Sequence, residues 1–245
     1  MEISLAAEKI GSIGGLPVTN SMVMSWIASL LLIIIAFVAT RRVALIPSGI
    51  QNFFESIIEF LFNTVNSVIG DEKESKKYFP LIATIFIFVI ANNWLGIIPG
   101  VGTIGKHILH AGEDIYVPYL RSANADLNTT LALAVIAVIA IQIFGIIAIG
   151  FFKYMKKFIN FKGPINFFVG GLELISEISK TISFSFRLFG NIFAGEILLT
   201  IIAFLTPYIA PVPFFALELF VGLIQAIVFA MLTLVFIKIA ISAHH

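Results

Sequence analysis

Three uncharged apolar runs occupy the first two thirds of the chain. They cover residues 21–40, 79–98 and 127–152. A helix of about 20 apolar residues crosses the ~30 Å hydrocarbon layer of a bilayer. The pattern therefore predicts three conventional transmembrane helices.

The segment between the first two runs has a different periodicity. From about residue 47 to residue 69, apolar and polar side chains fall on opposite faces of a helix. The apolar face holds Phe53, Phe54, Ile57, Ile58, Leu61, Phe62 and Val65, and the polar face holds Gln51, Glu55, Glu59, Asn63 and Asn66. This arrangement predicts an amphipathic helix in the membrane interface or against a neighbouring helix. Residues 71–77 are expected to form a charged loop.

Two helical patterns at the end of the chain are longer than a bilayer is thick. The first runs from Pro164 to about Thr206, and the second from about residue 214 to residue 243, with three prolines between them. At 1.5 Å per residue they would be roughly 60 Å and 45 Å long. We therefore predict two long, steeply tilted membrane helices that form a C-terminal hairpin.

The predicted fold is an all-α integral membrane protein in three parts. Residues 1–20 form an outer N-terminal arm, either as a short arm or as a surface helix. Residues 21–163 contain membrane helices 1–3 and the amphipathic helix of residues 47–69, and residues 164–245 form the tilted helical hairpin. Lysine and arginine concentrate in alternate connections, which places the N-terminus outside and the C-terminus in the cytoplasm. The inner set is Arg41, Arg42, Lys73, Lys76, Lys77, Lys153, Lys156, Lys157 and Lys162, and the outer set is Lys9, Lys106 and Arg121.

The composition agrees with a membrane protein. Of 245 residues, 59% are hydrophobic and 12% are charged, whereas a soluble domain has about 25% charged residues. The chain contains no cysteine, so no thiolate metal site is expected. Its histidines lie outside the apolar runs, at positions 107, 110, 244 and 245, and the last two read as a tail or the remnant of a tag. We expect no cofactor, no metal and no nucleic acid partner.

One face of the first long helix is polar over about five turns. Its members recur every three or four residues and therefore share a face. They are Glu173, Ser176, Lys180, Ser183, Arg187 and Asn191, with Glu177 at the border. A charge at the centre of a membrane costs roughly 2.5–3.5 kcal/mol on insertion scales. Arg187 is therefore expected to have a function, and the stripe below it can line a path from the cytoplasm.

Two carboxylates define a second polar group. Glu196 is nine residues beyond Arg187, which places it on the opposite face of the helix. Glu218 and Gln225 are seven residues apart and share a face of the second helix, and the hairpin would bring Glu218 towards Glu196. Two carboxylates close together tend to share a proton, so the pair is a candidate relay. Together with Asn191, these three residues predict an outer polar path. The outer and inner paths do not connect at Arg187.

Three stretches closely resemble subunit a of the F-type ATP synthase, and the resemblance covers most of the chain. They are Arg187-Leu188-Phe189-Gly190-Asn191 with Ala194-Gly195-Glu196, then Ser122–Asn128, then Gln225–Phe229. The resemblance implies a non-catalytic stator subunit whose last two helices lie against a rotating ring of c subunits. It identifies Arg187 with the family's essential arginine, a charge barrier that faces the ring carboxylate. It also implies outer half-channel roles for Asn191, Glu196 and Gln225, and an inner lining of Ser176, Lys180 and Ser183.

The resemblance implies further partners and a location. The partners would be the c-subunit ring, b-type peripheral stalk subunits, the rest of the F1Fo complex and membrane lipid. The location would be a bacterial plasma membrane, with a plastid thylakoid as the alternative. Whether the ion is H⁺ or Na⁺ stays open.

Some relatives have histidine where this chain has Glu218, and some have an acidic residue near Gly96, so Asp126 and Asn93 are candidates for the outer entrance.

A self-contained ion channel or secondary transporter is the alternative function. It would need a continuous polar path, or inverted repeats with broken helices at the middle of the membrane. The sequence shows neither. It also lacks the G-x-x-x-x-G-K-[ST] motif of a nucleotide site, so we expect no enzymatic activity of its own.

Overall fold

A computed structural model describes residues 7–41, 49–110, 113–158 and 163–242. Its α-helices in these ranges are α1 (Asn20–Thr40), α2 (Ile50–Ile69), α3 (Glu72–Ile97), α4 (Leu127–Ile149), α5 (Phe151–Met155), α6 (Pro164–Leu205) and α7 (Pro211–Ser242). Five of them, α1, α3, α4, α6 and α7, are long and apolar enough to cross a membrane. The predicted all-α membrane fold is therefore confirmed. Arg42, Pro47, Lys162, His244 and His245 lie outside the described residues, as does the start of the predicted arm.

The connections contain short strands that were not predicted. β1 (Lys9–Ile13) pairs antiparallel with β2 (Leu16–Thr19), and β4 (Gly105–His110) pairs antiparallel with β5 (Glu113–Pro118). A further short strand, β3, covers Pro99–Gly102. The interpretation of residues 9–19 as a surface helix is wrong, because Gly14 and Gly15 adopt φ values of 59° and 88° and form the turn of a hairpin.

The predicted charged loop at residues 71–77 is also wrong, because α3 already begins at Glu72. The Asp71 carboxylate accepts a hydrogen bond from the backbone N–H of Glu74 at 2.8 Å and caps the helix. Glu72 then forms an ion pair with Lys76 at 2.7 Å, one turn further on. Charges that suggested a loop are thus the first turn of a membrane helix.

Other helix ends follow the sequence closely. Asp126 caps α4, since its carboxylate accepts the backbone N–H of Asn128 at 3.0 Å. Pro164 occupies the first turn of α6, where its missing N–H costs nothing. Pro211 opens α7 three residues earlier than expected for the same reason. Gly150, at a φ of 92°, ends α4 and separates it from the short helix α5.

The four helices α3, α4, α6 and α7 share one apolar core. α3 packs against α7, α4 packs against α6 and α7, and α6 and α7 pack against each other as the predicted hairpin. Buried alanines line these contacts and allow the helices to approach closely. They include Ala134, Ala137, Ala226 and Ala230. α2 buries Leu61 and Val65 in the same core, which agrees with an amphipathic helix laid against its neighbours.

The helix ends define two faces of the molecule. The hairpin face comprises residues 7–19, 98–110, 113–126 and 206–210, and it is held together in part by a hydrogen bond from Asn20 Nδ2 to the Pro118 carbonyl at 3.2 Å. The lysine face comprises residue 41, residues 70–71 and residues 150–158, together with the start of α6 and the end of α7. There Lys238 Nζ donates to the Val68 carbonyl at 2.5 Å. The polar residues of α6 and α7 lie between these faces.

Candidate functional site

Arg187 lies near the middle of α6, on a side that no other described part of the chain covers. The side chains of Ser183, Asn191 and Ala194 share this exposed side with it. Its guanidinium donates to Ser183 Oγ at 3.3 Å. In residues 7–41, 49–110, 113–158 and 163–242, no carboxylate forms an ion pair with Arg187. The guanidinium of Arg187 therefore faces the surroundings of α6 and not another described part of the chain.

A polar seam joins α6 and α7 next to Arg187. Asn191 Nδ2 donates to Gln225 Oε1 at 2.7 Å, and Gln225 is buried. About one turn further along α6 towards the hairpin face, the Glu218 carboxylate packs directly against Gly195, where a side chain would overlap it. Glu218 is only 6% exposed. The structure therefore brings Asn191 and Gln225 together and places Glu218 beside Gly195.

Glu196 has a partner that the sequence analysis missed. Arg121, in the connection before α4, places its Nε 3.4 Å from Glu196 Oε1. Its guanidinium also lies over the Phe193 ring, 5.8 Å from the centroid. The sequence places Arg121 on this face, but nothing in its periodicity indicates a contact with a residue 75 positions later.

The lysine-face residues of the stripe form an ion-pair cluster. Lys157 Nζ lies 2.5 Å from Glu173 Oε1 and 3.7 Å from Glu177 Oε1. Lys180 Nζ donates to the same Glu177 oxygen at 2.8 Å and lies 4.8 Å from the centre of the Phe236 ring. Glu173 and Lys180 are thus brought together, and Glu177 is a full member of the group. Lys157 was used in the sequence analysis only to orient the chain.

The remaining predicted inner residues continue this group towards Arg187. Ser176 is half-buried on α6, and Ser183 is exposed one turn below Arg187. Together with Glu173 and Lys180 they trace the predicted face from the lysine face to the arginine. The stripe is therefore present, although its charged end is neutralised by ion pairs.

Tyr154 on α5 contacts both α4 and the lysine-face cluster. Its hydroxyl donates to Gln142 Oε1 at 2.5 Å, and it lines a cleft of about 380 Å³ with Gln142 and Glu177. Burial raises the pKa of Tyr154 to about 12, and the negative charges of Glu177 and Glu173 add to the effect. The side chain therefore remains a phenol and a donor at neutral pH.

Asn93 and Asp126, the two candidates for an outer entrance, are buried and hydrogen-bonded. Asn93 Nδ2 donates to the Gly222 carbonyl at 2.8 Å, and its Oδ1 accepts from Asn124 at 2.7 Å. Asp126 accepts from Ser21 Oγ at 2.7 Å in addition to capping α4. These contacts join α1, α3, α4 and α7 at the hairpin face. Among the described residues, no group of three or more His, Asp or Glu side chains could hold a metal ion.

Comparisons with known proteins identify the family. A family model for the ATP synthase A chain matches residues 22–238. This chain belongs to the ATP synthase A chain family. ATP synthase subunit a of Moorella thermoacetica is 35% identical over 236 residues, which cover 96% of this chain and 97% of the relative. Subunit a of Campylobacter jejuni is 37% identical over 214 residues (86% and 85%), and that of Gloeobacter violaceus is 37% identical over 225 residues (92% and 85%).

Membership of the ATP synthase A chain family confirms the resemblance seen in the sequence. It places the chain in the Fo membrane sector of an ATP synthase, as a subunit that is not itself catalytic. The chain therefore functions in ATP synthesis and proton transport in a membrane. The alternative of a self-contained channel or transporter is set aside.

Proposed function

We propose that this chain is the stator subunit that delivers protons to, and removes them from, the carboxylates of a c-subunit ring. The observation that carries the proposal is the position of Arg187. It stands uncovered on α6 between two separate polar groups. The hairpin-face group is Asn191, Glu196, Glu218 and Gln225, and the lysine-face group is Glu173, Ser176, Lys180 and Ser183. These groups form two offset half-channels.

The hairpin-face group is the uptake path in this proposal. A proton moves inwards past Glu196 and Glu218, and the bonded pair of Asn191 and Gln225 marks the point at which it reaches a ring carboxylate. A neutralised carboxylate can then face lipid, since only the ionised form is expensive to remove from water. The ring carries it around until it meets the other path.

The lysine-face group is the release path. Glu173 and the neighbouring Glu177 are each already paired with a lysine, so the group stays polar and hydrated without trapping the proton. Ser176 and Ser183 extend it to the level of Arg187. Release there leaves an ionised ring carboxylate beside the arginine.

Arg187 separates the two paths. A fixed positive charge repels a proton that would otherwise cross directly, and it favours the ionised form of the ring carboxylate. Two opposite charges ~4 Å apart attract by about 4 kcal/mol at an effective dielectric constant of 20. This attraction biases ionisation without locking the ring in place.

We also propose how the chain sits among its partners. Residues 164–245 carry the ion path, and the exposed side of α6 with Arg187 faces the c ring. The exposed apolar surfaces of the other helices face lipid and b-type peripheral stalk subunits, within the F1Fo complex. The concentration of described basic residues at the lysine face supports the proposal that this face and the C-terminus lie in the cytoplasm of a bacterial cell and the N-terminus lies outside. The helices cross the plasma membrane several times.

Replacement of Arg187 tests the proposal. Arg187→Ala should lower ATP synthesis driven by an imposed proton gradient by at least roughly 100-fold, because losing about 4 kcal/mol of charge interaction removes the barrier between the paths. Arg41→Ala is the matched control, since Arg41 is an exposed arginine at the end of α1. Synthesis is measured in membranes that contain equal amounts of assembled complex. Coupled synthesis by the Arg187→Ala enzyme would overturn the proposal.

A further inference from the structure

Arg121 is a buried cation held by the connection at residues 118–126. Hydrogen bonds with two other parts of the chain hold that connection in place. Asn20 binds the Pro118 carbonyl, and Asn124 donates to Asn93 Oδ1 at 2.7 Å. Ser122 packs so closely on Gly96 that a side chain at position 96 would overlap it. Arg121 is only 6% exposed, so its guanidinium is placed by the fold and is not a mobile surface charge.

The guanidinium is directed at one carboxylate of α6. Its Nε lies 3.4 Å from Glu196 Oε1. The Phe193 ring, one turn earlier on the same helix, lies beneath the guanidinium at 5.8 Å. A planar guanidinium stacked on a ring has a restricted orientation. Arg121 is therefore positioned to form an ion pair with the Glu196 carboxylate.

Three carboxylates lie on this side of the molecule, around the ion pair of Arg121 and Glu196. Glu196 lies on α6, Glu218 on α7, and Glu8 on the segment before β1, where Asn20 Nδ2 donates to it at 3.4 Å. The charge of Arg121 acts on Glu8 and on Glu196, and the charge of Glu196 acts on Glu218. Asp126 is engaged by Ser21 and Asn128 instead. One positive charge cannot balance three ionised carboxylates, so the cluster is able to bind protons.

The surroundings of the three acids differ. Glu196 has the close ion pair with Arg121. Glu218 is more deeply buried, against the backbone of Gly195, and has no hydrogen-bond partner in the described chain. An ionised carboxylate is costly to bury without a partner. Among the acids that line the seam, Glu218 is therefore the one suited to carry a proton.

We propose that Arg121 is a positioning residue for proton uptake, which holds Glu196 as a carboxylate so that the transferred proton is carried by Glu218. Glu218 takes the proton from water on the hairpin face and gives it to the ring carboxylate, while Glu196 keeps its charge throughout. This inference rests on the proposed function, because it assigns the uptake step of the same half-channel.

The test is proton conduction through Fo in F1-stripped membranes, with the pH on the hairpin face varied. Arg121→Gln should move the midpoint of the pH dependence upwards by about one pH unit, because the two carboxylates then bind their first proton without an opposing cation. Arg121→Lys should restore most of the original midpoint. In a Glu196→Gln background, Arg121→Gln should cause no further shift. Lys106→Gln removes another cation of the same face and should leave the midpoint unchanged.

The outcomes separate a positioning role from a structural one. A uniform loss of conduction at every pH, or an equal shift with and without Glu196, overturns the inference. If Arg121→Gln does not assemble but the double variant with Glu196→Gln does, the unpaired carboxylate is the cause and the ion pair is supported. If neither assembles, Arg121 serves folding and the inference is overturned.

Arg187→Ala, examined in the same membranes for coupled synthesis, distinguishes the two proposals. If Arg187→Ala abolishes coupled synthesis, but Arg121→Gln shifts the midpoint of the pH dependence equally with and without Glu196, only the proposed role of Arg121 is overturned. Retained coupling overturns the proposed function as well.

Discussion

Gly195 allows two membrane helices to enclose a carboxylate between them. The Glu218 side chain occupies the space that a side chain at position 195 would fill. Glu218 therefore lies against the α6 backbone, one residue from Glu196, instead of being pushed away from the seam. At the scale of single residues, this glycine allows the two acids of the proposed uptake path to lie close together.

Gly195→Ala should slow proton uptake. The added methyl group overpacks the seam, which typically costs 1–3 kcal/mol, and displacement of Glu218 should lower gradient-driven ATP synthesis roughly 10-fold. Gly171→Ala is the matched control on the same helix, because a methyl group at that position meets no neighbouring atom within 4 Å. Initial rates are compared at equal amounts of complex. Equal rates in the two variants would contradict the account.

The contacts between α6 and α7 could be predicted from the sequence, whereas those of Arg121 could not. Asn191 and Gln225 lie on α6 and α7 at positions that helical periodicity and one turn bring together. The same rules place Glu218 near Glu196. Arg121 reaches Glu196 through an irregular connection whose path depends on the contacts of Asn20 and Asn124. No local pattern specifies such a path.

At the scale of elements, α5 works as a corner between α4 and α6. Its Tyr154 bonds Gln142 on α4 and packs so closely on Gly145 that a side chain there would overlap the ring. Lys157, just beyond α5, pairs with Glu173 and Glu177 on α6. The corner thus holds the lysine-face carboxylates at a fixed distance from α4.

Tyr154→Phe should loosen this corner. The variant loses a buried hydrogen bond worth about 1 kcal/mol, so amide hydrogen exchange of residues 151–158 should become roughly 5-fold faster. Tyr208→Phe is the control, since Tyr208 is 89% exposed between α6 and α7. Both are measured in the assembled complex by mass spectrometry. Unchanged exchange in Tyr154→Phe would show that α5 is held by other contacts.

Helix ends were predictable where a capping residue or a proline marks them. Pro164 begins a helix as expected, and Asp126 is a capping residue of the kind that marks a helix start. The start of α3 was misjudged because a cluster of charges was interpreted as a loop, although Asp71 provides a helix cap and Glu72 pairs with Lys76. The strands at the hairpin face were missed because short, glycine-rich segments carry little periodicity.

At the scale of the whole molecule, α6 is covered on one side only. Phe184, Leu188 and Ile192 are buried against the rest of the chain. The opposite side, with Arg187, has no cover from the described residues. A charge at the middle of an apolar helix is expensive to expose to lipid. This uncovered side is therefore the surface on which the account expects a charged partner.

The measurement that tests this most directly is disulfide crosslinking between α6 and the c subunit. The chain has no cysteine of its own, so single cysteines report without background. We would introduce Ser183→Cys and Ala194→Cys on the Arg187 side. The control is Ile182→Cys, which is also exposed but points about 140° away from Arg187 by helical geometry. Each is combined with a cysteine near the ring carboxylate.

The account predicts crosslinks from positions 183 and 194 and none from position 182. Because all three positions are exposed in this chain, burial within it cannot explain a difference between them. Equal crosslinking from position 182, or no crosslink from either position beside Arg187, would contradict the claim that this side of α6 faces the rotor.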